Sequence, residues 1–257
     1  MRWPGFRRVR RQVCKRLQRR LAQLQLQDLD AYRAYLIEHG AEWSVLDSLC
    51  QITISRFYRD KMVFSILKEQ IFPHLLDILQ QRQETVLRIW CAGCGAGEEP
   101  YTLAMLWAIC FQTDFPAIRL SILATDINAK MLQRARQACY PYSSIKNLPP
   151  SWRVSGFEKR DEEYCLHPSF KTNVEFRCQD IRNNTITELP GQPFHLICCR
   201  NLAFTYYDRP LQQQISQRLH DRLVEGGVLL LGVHEKLPTE SSGFTLWSQR
   251  LGLYLRP

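Results

Sequence analysis

The amino-acid sequence predicts an α/β fold in which helices cover both faces of a mostly parallel sheet. From residue 86 onward, short runs rich in valine, isoleucine and leucine alternate with segments of helical character. A glycine-rich turn joins the first of these runs to the helix that follows it. Strands that are buried on both faces of a parallel sheet read as continuous apolar runs, so we expect these strands to lie between two helical layers.

Seven strands are predicted along this region. Five come from the apolar runs, namely VLRIWC (86–91), RLSILATD (119–126), NVEFRCQD (173–180), FHLICCR (194–200) and GVLLLGVH (227–234). The last two form a closing hairpin from TLWSQ and LGLYLR. The intervening helices are predicted from PYTLAMLWAICF, AKMLQRARQACY and LQQQISQRLHDRLV.

Residues 9–80 predict a helical region that precedes the sheet. Gly40 favours the end of one helix, and Pro73 predicts a break or kink in the last of them. We therefore expect an N-terminal helical region with a basic arm over 1–80 and an α/β domain over 81–257. Within that domain, the less regular stretch 141–176 predicts a small lobe inserted at the rim of the sheet.

The net charge of +9 at pH 7 is concentrated at the N-terminus. Nine basic residues and no acidic residue lie in the first twenty, whereas the rest of the chain is balanced. Arg8, Arg11, Lys15 and Arg19 fall at helical spacing and form a cationic stripe on one helix face. Such a stripe fits a solvated helix face, an acidic partner surface, nucleic acid or an arginine-rich organelle-import segment.

The ten cysteines lack the spacing of a secreted disulfide framework, and several lie in apolar runs. No apolar run approaches the roughly 18–20 residues needed to span a membrane. The first twenty residues also lack the apolar core of a secretory signal. We therefore expect a reducing, cytoplasmic compartment, or an organelle if the host is eukaryotic. Cys91 and Cys94 form a single CxxC pair without further ligands at metal spacing, which predicts no metal site.

The stretch CAGCGAGEEPY (91–101) raises the question of which ligand it binds. Gly93, Gly95 and Gly97 allow a sharp turn that approaches a ligand closely. Glu98 and Glu99 follow at the helix start, where they would repel a pyrophosphate by about 1–4 kcal/mol for charges about 4 Å apart. S-adenosylmethionine carries a sulfonium and an ammonium but no phosphate, so the glutamates favour it over a dinucleotide. The alternative is that both glutamates only favour the helix dipole.

Two aspartates end neighbouring strands and favour a nucleoside ligand. Asp126 ends the second strand, where an acid binds both ribose hydroxyls in many nucleotide-binding sheets. This role is common to dinucleotide and S-adenosylmethionine enzymes and does not choose between them. Asp180 ends the third strand and could accept a hydrogen bond from an adenine amino group, or else cap a helix.

Three stretches resemble the signatures of CheR-type methyltransferases: RIWCAGCGAGEEPYTLAM, ILATDINAKMLQRARQACY and ICCRNLAFTYYD. ISRFYRD (54–60) resembles the Thr/Ser-x-Phe-Phe-Arg segment of that family, and GGVLLLGVHEKL resembles its final Gly-Gly strand. Members transfer a methyl group from S-adenosylmethionine to glutamates of bacterial chemoreceptors and release S-adenosylhomocysteine. The resemblance implies a Rossmann-like class I methyltransferase fold and a role in chemotaxis.

The resemblance implies cofactor-binding roles for residues at the ends of the first three strands. Glu99 would bind the methionine end of the cofactor. Asp126 would bind the ribose. Asp180 and Ile181 would flank the adenine, although the family often has asparagine in place of Asp180.

Further roles follow for the later strands and for the segment upstream of the sheet. Asn201 and Leu202 would line the pocket near the methyl group. Thr53, Ser55 and Arg59 would cover the site from the N-terminal side. Thr53 stands where family members often carry asparagine.

Arg59 and Tyr206 are the catalytic residues that the resemblance implies. Arg59 would hold the acceptor carboxylate in a forked pair or fix the carboxylate of the cofactor. Tyr206 matches a tyrosine near the transferred methyl and would donate a hydrogen bond and exclude water. The alternatives are an ordinary salt bridge for Arg59 and a packing role for Tyr206.

Departures from the family pattern leave the methyl acceptor open. The segment LAFTYYD is one residue longer than usual, the lobe over 151–176 is shorter, and the His-Ser-Glu of the family reads Val233-His234-Glu235 here. We expect a monomer that methylates a glutamate of an acidic helical protein, bound by the basic N-terminal helix, and we expect no nucleic-acid partner. The alternatives are another protein residue or a small molecule as acceptor, and a non-catalytic module that binds the cofactor or a partner.

Overall fold

The computed structural model describes residues 3–50, 55–183, 192–238 and 243–257, with side chains from residue 10 onward. The chain divides into two compact units, Met1–Ile54 and Ser55–Pro257. This boundary lies before the one expected at residue 80. The reason is that apolar side chains of the last predicted helices, such as Phe64 and Phe72, are buried in the core of the larger unit.

The N-terminal unit consists of the helices α1 (Trp3–Gln23), α2 (Leu29–Glu38) and α3 (Glu42–Cys50). Glu42 is buried between a cation and a phenol: Arg20 donates to its carboxylate at 2.8 and 2.6 Å, and the Tyr32 hydroxyl donates at 2.8 Å. The Arg20 guanidinium holds the pKa of Glu42 below its ordinary value. Arg20 therefore stabilises this unit internally. None of the helices in the described ranges is both long and apolar enough to cross a bilayer.

The larger unit alternates helices and strands. Its first part contains α4 (Lys61–Ile66), α5 (Phe72–Gln81), β1 (Val86–Ala92), α6 (Glu98–Cys110), β2 (Arg119–Asp126) and α7 (Ala129–Gln137). An inserted lobe follows, with β3 (Cys139–Pro141), α8 (Tyr142–Ile145), α9 (Pro150–Gly156), β4 (Phe157–Arg160) and β5 (Glu163–Leu166). The last part contains β6 (Val174–Cys178), β7 (Phe194–Cys199), α10 (Ala203–Tyr206), α11 (Arg209–Asp221), β8 (Leu223–Leu231), β9 (Thr245–Ser248) and β10 (Leu253–Leu255).

The main sheet has seven strands in the order β6-β2-β1-β7-β8-β10-β9. The first five are parallel, and the closing hairpin β9–β10 is antiparallel. The predicted mostly parallel, seven-stranded Rossmann-like sheet is thus confirmed. The strand order reverses between β1 and β7, and open sheets of this kind bind ligands outside the carboxyl ends of the strands at such a point.

Side chains along the central strands alternate between two buried clusters, one on each face of the sheet. In β1, Ile89 and Cys91 belong to one cluster and Trp90 and Ala92 to the other. This double burial explains why the strands read as continuous apolar runs in the sequence. The strand β8 starts before the Gly-Gly pair and ends at Leu231, so the residues after it lie in a turn beyond the sheet.

Pro73 does not break the helical segment in which it lies. A π-helical stretch, Leu67–Ile71, separates α4 from α5, and Pro73 occupies the first turn of α5. Proline has no backbone N–H to donate, so a widened turn before it accommodates the missing hydrogen bond. The expected irregularity is therefore a π-helical stretch inside a continuous helical segment.

The inserted lobe is a small antiparallel sheet in the order β3-β5-β4. Cys139 and Cys165 face each other on β3 and β5 and form a disulfide, which the sequence analysis did not predict. The Tyr140 hydroxyl donates to the carbonyl of Ala96 at 2.7 Å. Phe57 packs edge-on against Tyr140 at 4.9 Å between ring centroids. The lobe is therefore attached both to the glycine turn and to the segment that precedes α4.

Candidate functional site

The glycine turn between β1 and α6 has the backbone that its sequence predicts. Gly93, Gly95 and Gly97 have φ values of +78°, +58° and +90°, which side chains disfavour. The amide of Gly93 donates to the carbonyl of Thr125 at 2.8 Å and fixes the turn against β2. A Cβ atom on Gly93 would lie 2.5 Å from Cδ2 of Leu202. Residue 93 must therefore also be glycine because it packs closely against Leu202, which follows β7.

Asp126 joins the end of β2 to the glycine turn. Its Oδ2 accepts from the Gly95 amide and its Oδ1 from the Asn128 amide, both at 2.8 Å. Burial raises the pKa of Asp126, and these hydrogen bonds oppose the shift. A carboxylate has about four acceptor positions, so one on each oxygen remains for a ligand. That arrangement can accept two vicinal hydroxyls.

Arg200, which follows β7, bridges two carboxylates from distant parts of the chain. Its side chain is 4% exposed and donates to Glu99 at 2.7 Å and to Asp60 at 2.5 Å. Burial disfavours its charge, but Glu99 and Asp60 outweigh this effect and raise the pKa of Arg200. One cation thus holds the start of α6, the end of β7 and the segment before α4 together.

Arg59 reaches the same edge of the sheet from the segment before α4. Its Nη2 donates to Oδ1 of Asn201 at 3.3 Å. Asn201 follows Arg200 and has a left-handed φ of 56°. Asparagine tolerates this conformation better than most residues. Arg59 and Asn201, each predicted separately as a site residue, are therefore brought into contact, although 142 residues separate them in sequence.

Glu98 is buried at the first turn of α6, with 4% of its surface exposed. Burial raises the pKa of Glu98, and a hydrogen bond from the Ser55 side chain opposes the shift. Its Oε2 has no hydrogen-bond partner among the described residues. A buried carboxylate oxygen without a donor fits a site that receives a donor from a ligand, such as the ammonium of a bound amino acid.

Two thiols lie beside Glu99. The sulfur atoms of Cys91 and Cys198 and one carboxylate oxygen of Glu99 lie within 4.8 Å of one another. Burial raises the pKa of the Cys91 thiol well above its ordinary value, which favours the neutral form. The Arg200 guanidinium already occupies the carboxylate of Glu99. Both features disfavour a metal ion held by the two thiols and Glu99, and we assign none to this cluster.

The surroundings of three further predicted residues, Asp180, Ile181 and Tyr206, are as follows. The Asp180 carboxylate accepts from the Arg182 amide at 2.9 Å and pairs with its guanidinium at 2.8 Å. Ile181 is buried in the apolar core. Tyr206 is half-buried at the end of α10. Thr53 lies outside the described residues.

Asp60, Arg200 and Glu235 were not predicted as site residues, yet each makes short contacts at this edge. Glu235 accepts from the amide of Asn201 at 2.6 Å. A sequence signal existed for Arg200, because a charged residue directly follows the apolar run FHLICC. Glu235 lies in the turn beyond β8, where the sequence departs from the family pattern, so the motif carried no signal for it.

The site fits S-adenosylmethionine by its chemistry. Asp126 offers two acceptor positions for a ribose, Glu98 and Glu99 supply carboxylates near the glycine turn, and Arg200 offsets part of this negative charge. A pyrophosphate would face two glutamates at the helix start. Fold and site together define a class I S-adenosylmethionine-dependent methyltransferase.

The chain belongs to the CheR methyltransferase family. Residues 53–252 match the family described as CheR methyltransferase, SAM binding domain. This match covers the larger unit almost completely and confirms the resemblance drawn from the sequence motifs. It also identifies S-adenosylmethionine as the cofactor.

Curated relatives support the same family. The chain is 31% identical over 190 residues to a chemotaxis protein methyltransferase of Listeria innocua, a match covering 74% of this chain and 68% of the relative. It is 29% identical over 243 residues to that of Escherichia coli, covering 92% and 80%. It is 30% identical over 247 residues to an uncharacterised 104.1 kDa protein of Rhodobacter capsulatus, covering 95% of this chain but only 25% of that protein.

Proposed function

We propose that this chain transfers a methyl group from S-adenosylmethionine to a glutamate carboxylate of a chemoreceptor-type protein. The observation that carries the proposal is the contact between Arg59 and Asn201 at 3.3 Å, which brings a guanidinium to the carboxyl edge of the sheet. A cation at that edge suits an anionic acceptor. The names of the Listeria and Escherichia relatives, chemotaxis protein methyltransferases, support the same acceptor class.

The reaction is an in-line displacement at carbon. A carboxylate oxygen of the acceptor forms a bond to the methyl carbon while the carbon–sulfur bond breaks, and the electron pair of that bond stays on sulfur. The products are a methyl ester and neutral S-adenosylhomocysteine. Glutamate is already ionised at pH 7, so no strong general base is required. The residues of the site therefore act by orienting the acceptor and excluding water.

We assign the cofactor pocket to the residues that the sequence analysis predicted. Asp126 binds the ribose hydroxyls through the two acceptor positions that the backbone leaves available. Glu99 binds the methionine end while Arg200 fixes its orientation. The full set of proposed cofactor-binding residues is Thr53, Ser55, Arg59, Gly93, Gly95, Gly97, Glu99, Asp126, Asp180, Ile181, Asn201 and Leu202.

Arg59 and Tyr206 are the proposed catalytic residues. Asn201 orients Arg59, whose guanidinium then pairs with the acceptor carboxylate. Tyr206 closes the short helix α10 beside Leu202 and is placed to donate one hydrogen bond and to exclude water. Both residues would orient the acceptor carboxylate and remove water from it, and an in-line displacement requires both effects.

Arg59→Ala is expected to lower methyl transfer by about tenfold or more while the fold persists, because the acceptor loses its cation. The measurement is initial rates with wild type and variant at equal cofactor concentration. Arg56→Ala is the matched control, since Arg56 lies three residues upstream and is exposed. A rate for Arg59→Ala equal to that of the control would remove Arg59 from the mechanism.

The basic face of α1 is the proposed contact for an acidic helical substrate, bound by a monomer of this chain. Arg11, Lys15 and Arg19 have exposed side chains at helical spacing, whereas Arg16 and Arg20 bond within the N-terminal unit. The exposed residues therefore present charge that the unit does not use internally. A long-range attraction of this kind weakens as salt screens it.

Neutralising this face should weaken substrate binding in a salt-dependent way. The triple variant Arg11→Gln, Lys15→Gln, Arg19→Gln is expected to raise the KM for an acidic receptor fragment by about tenfold at low salt, with little change at high salt. A charge-matched triple at Arg119, Lys130 and Arg250, all exposed, controls for net charge. Equal KM values for the two triples would exclude a specific role for α1.

The function itself is tested with isotopically labelled methyl groups. Purified chain, labelled S-adenosylmethionine and a chemoreceptor cytoplasmic fragment are mixed, and the product is treated with base. Release of labelled methanol, lost when the acceptor glutamates are replaced by glutamine, supports the proposal. Base-stable label on another group would assign a different acceptor. Cofactor binding without transfer to any acceptor would indicate a non-catalytic module.

A further inference from the structure

Glu235 lies in the turn beyond β8 and is 3% exposed. Its carboxylate is an acceptor for three donors from separate positions. The Asn201 amide donates to Oε2 at 2.6 Å, the Gly232 amide to the same oxygen at 2.8 Å, and the Thr205 hydroxyl to Oε1 at 2.6 Å. The carboxylate therefore connects the ends of β7 and β8 with the helix α10.

These contacts favour the ionised form of the carboxylate. Burial raises the pKa of Glu235, and the hydrogen bonds from Thr205, Gly232 and Asn201 oppose that shift. An ionised carboxylate accepts hydrogen bonds about twice as strongly as a neutral acceptor. Removing it would leave three donors at a buried position without an acceptor, and each would bear its full desolvation penalty.

Asn201 is held by hydrogen bonds at both its backbone and its side chain. Its backbone amide is held by Glu235, while its side-chain Oδ1 accepts from Arg59 at 3.3 Å. A Cβ atom on Gly232 would lie 2.9 Å from Oε2 of Glu235 and 3.0 Å from Oδ1 of Asn201. Only glycine at 232 leaves room for both groups. Two hydrogen bonds thus connect Glu235 to Asn201 and Asn201 to Arg59.

We propose that Glu235 is a positioning residue for the site, acting through Asn201 on Arg59 and through Thr205 on the helix that ends at Tyr206. Its carboxylate is bound by donors of the protein itself, so it would act on the site indirectly. Its contribution is to fix the left-handed residue whose amide oxygen binds the guanidinium. This inference rests on the proposed function, because it assigns Glu235 to the binding of the same cofactor.

The test is calorimetric titration of S-adenosylhomocysteine into four proteins: wild type, Glu235→Gln, Arg59→Ala and the double variant. Glu235→Gln is expected to weaken binding by about tenfold, and Arg59→Ala to weaken it similarly, because Arg59 also belongs to the proposed cofactor-binding residues. In the double variant the two effects should not multiply, because Glu235 acts through Arg59. If the losses of affinity in the two single variants multiply fully in the double variant, the proposal is wrong. Glu235 would then stabilise the structure independently of Arg59.

Two further variants separate positioning from folding. Glu225→Gln, at an exposed glutamate of β8, is expected to bind like wild type. Thr205→Val removes one of the three donors and should weaken binding by a smaller factor, with a smaller drop in melting temperature than Glu235→Gln causes. If Glu235→Gln lowers the melting temperature but binds normally, the proposal is wrong. If wild type itself binds no S-adenosylhomocysteine, the proposed function fails and the inference falls with it.

Discussion

Replacing Arg200 with methionine is expected to remove detectable cofactor binding and to lower the free energy of unfolding of the larger unit by about 3 kcal/mol. Methionine fills a similar volume, so the effect comes from charge. The Arg200 side chain is 4% exposed, and its guanidinium lies between Glu99 and Asp60 at 2.7 and 2.5 Å. Without it, the partly buried carboxylates of Glu99 and Asp60 would lose the cation that they share.

Urea unfolding and calorimetric titration measure the two effects separately. Arg200→Lys keeps the charge but loses the forked geometry, so it should retain part of the stability and little of the binding. Combining Arg200→Met with Glu99→Gln and Asp60→Asn removes the repulsion and should recover stability without recovering binding. If Arg200→Met is as stable as wild type, the bridge contributes nothing to the fold.

The sheet could be predicted from sequence because its strands are buried on both faces. Val86–Ala92 and Arg119–Asp126 coincide closely with the predicted runs, since an apolar run bounded by polar residues has few other structures open to it. The glycine turn and Asp126 could be predicted for a related reason. Each occupies a fixed place relative to a strand end, and strand ends meet at one edge of a parallel sheet.

The charged contacts that complete the site could not be predicted in this way. Arg200 contacts Glu99 and Asp60 across 101 and 140 residues, and Glu235 contacts Asn201 across 34. Local patterns carry no information on which distant carboxylate a buried cation meets. The same limit applies to Cys139 and Cys165, whose strands in the lobe are only three and four residues long.

Under the proposed function, one edge of the sheet binds both a cationic cofactor and an anionic acceptor. Arg200 neutralises part of the acidic charge at Glu99, and backbone amides stabilise Asp126. In the proposed pocket the acids are Glu99 at the start of α6 and Asp126 at the end of β2, and the cation for the acceptor is Arg59, which is held by Asn201 after β7. Opposite charges at the two sides of the pocket would align the sulfonium with the incoming carboxylate.

Asp126→Ala is expected to weaken the binding of S-adenosylhomocysteine by about 100-fold or more, because two charge-assisted hydrogen bonds to the ribose are lost. The variant also removes the acceptor for the amides of Gly95 and Asn128. Loss of the ribose contact and loosening of the glycine turn therefore both weaken the binding of S-adenosylhomocysteine. Asp114→Ala, at an exposed aspartate before β2, is the matched control and should bind like wild type.

A second ligand separates the two contributions of Asp126. A cofactor analogue that lacks the ribose hydroxyls cannot use the carboxylate directly, so Asp126→Ala should weaken its binding only through the turn. The ratio between the two ligands then measures the ribose contact alone. If Asp126→Ala weakens both ligands equally, the carboxylate serves the glycine turn and the ribose is bound elsewhere. If wild type binds the analogue as tightly as S-adenosylhomocysteine, the hydroxyls are not recognised at all.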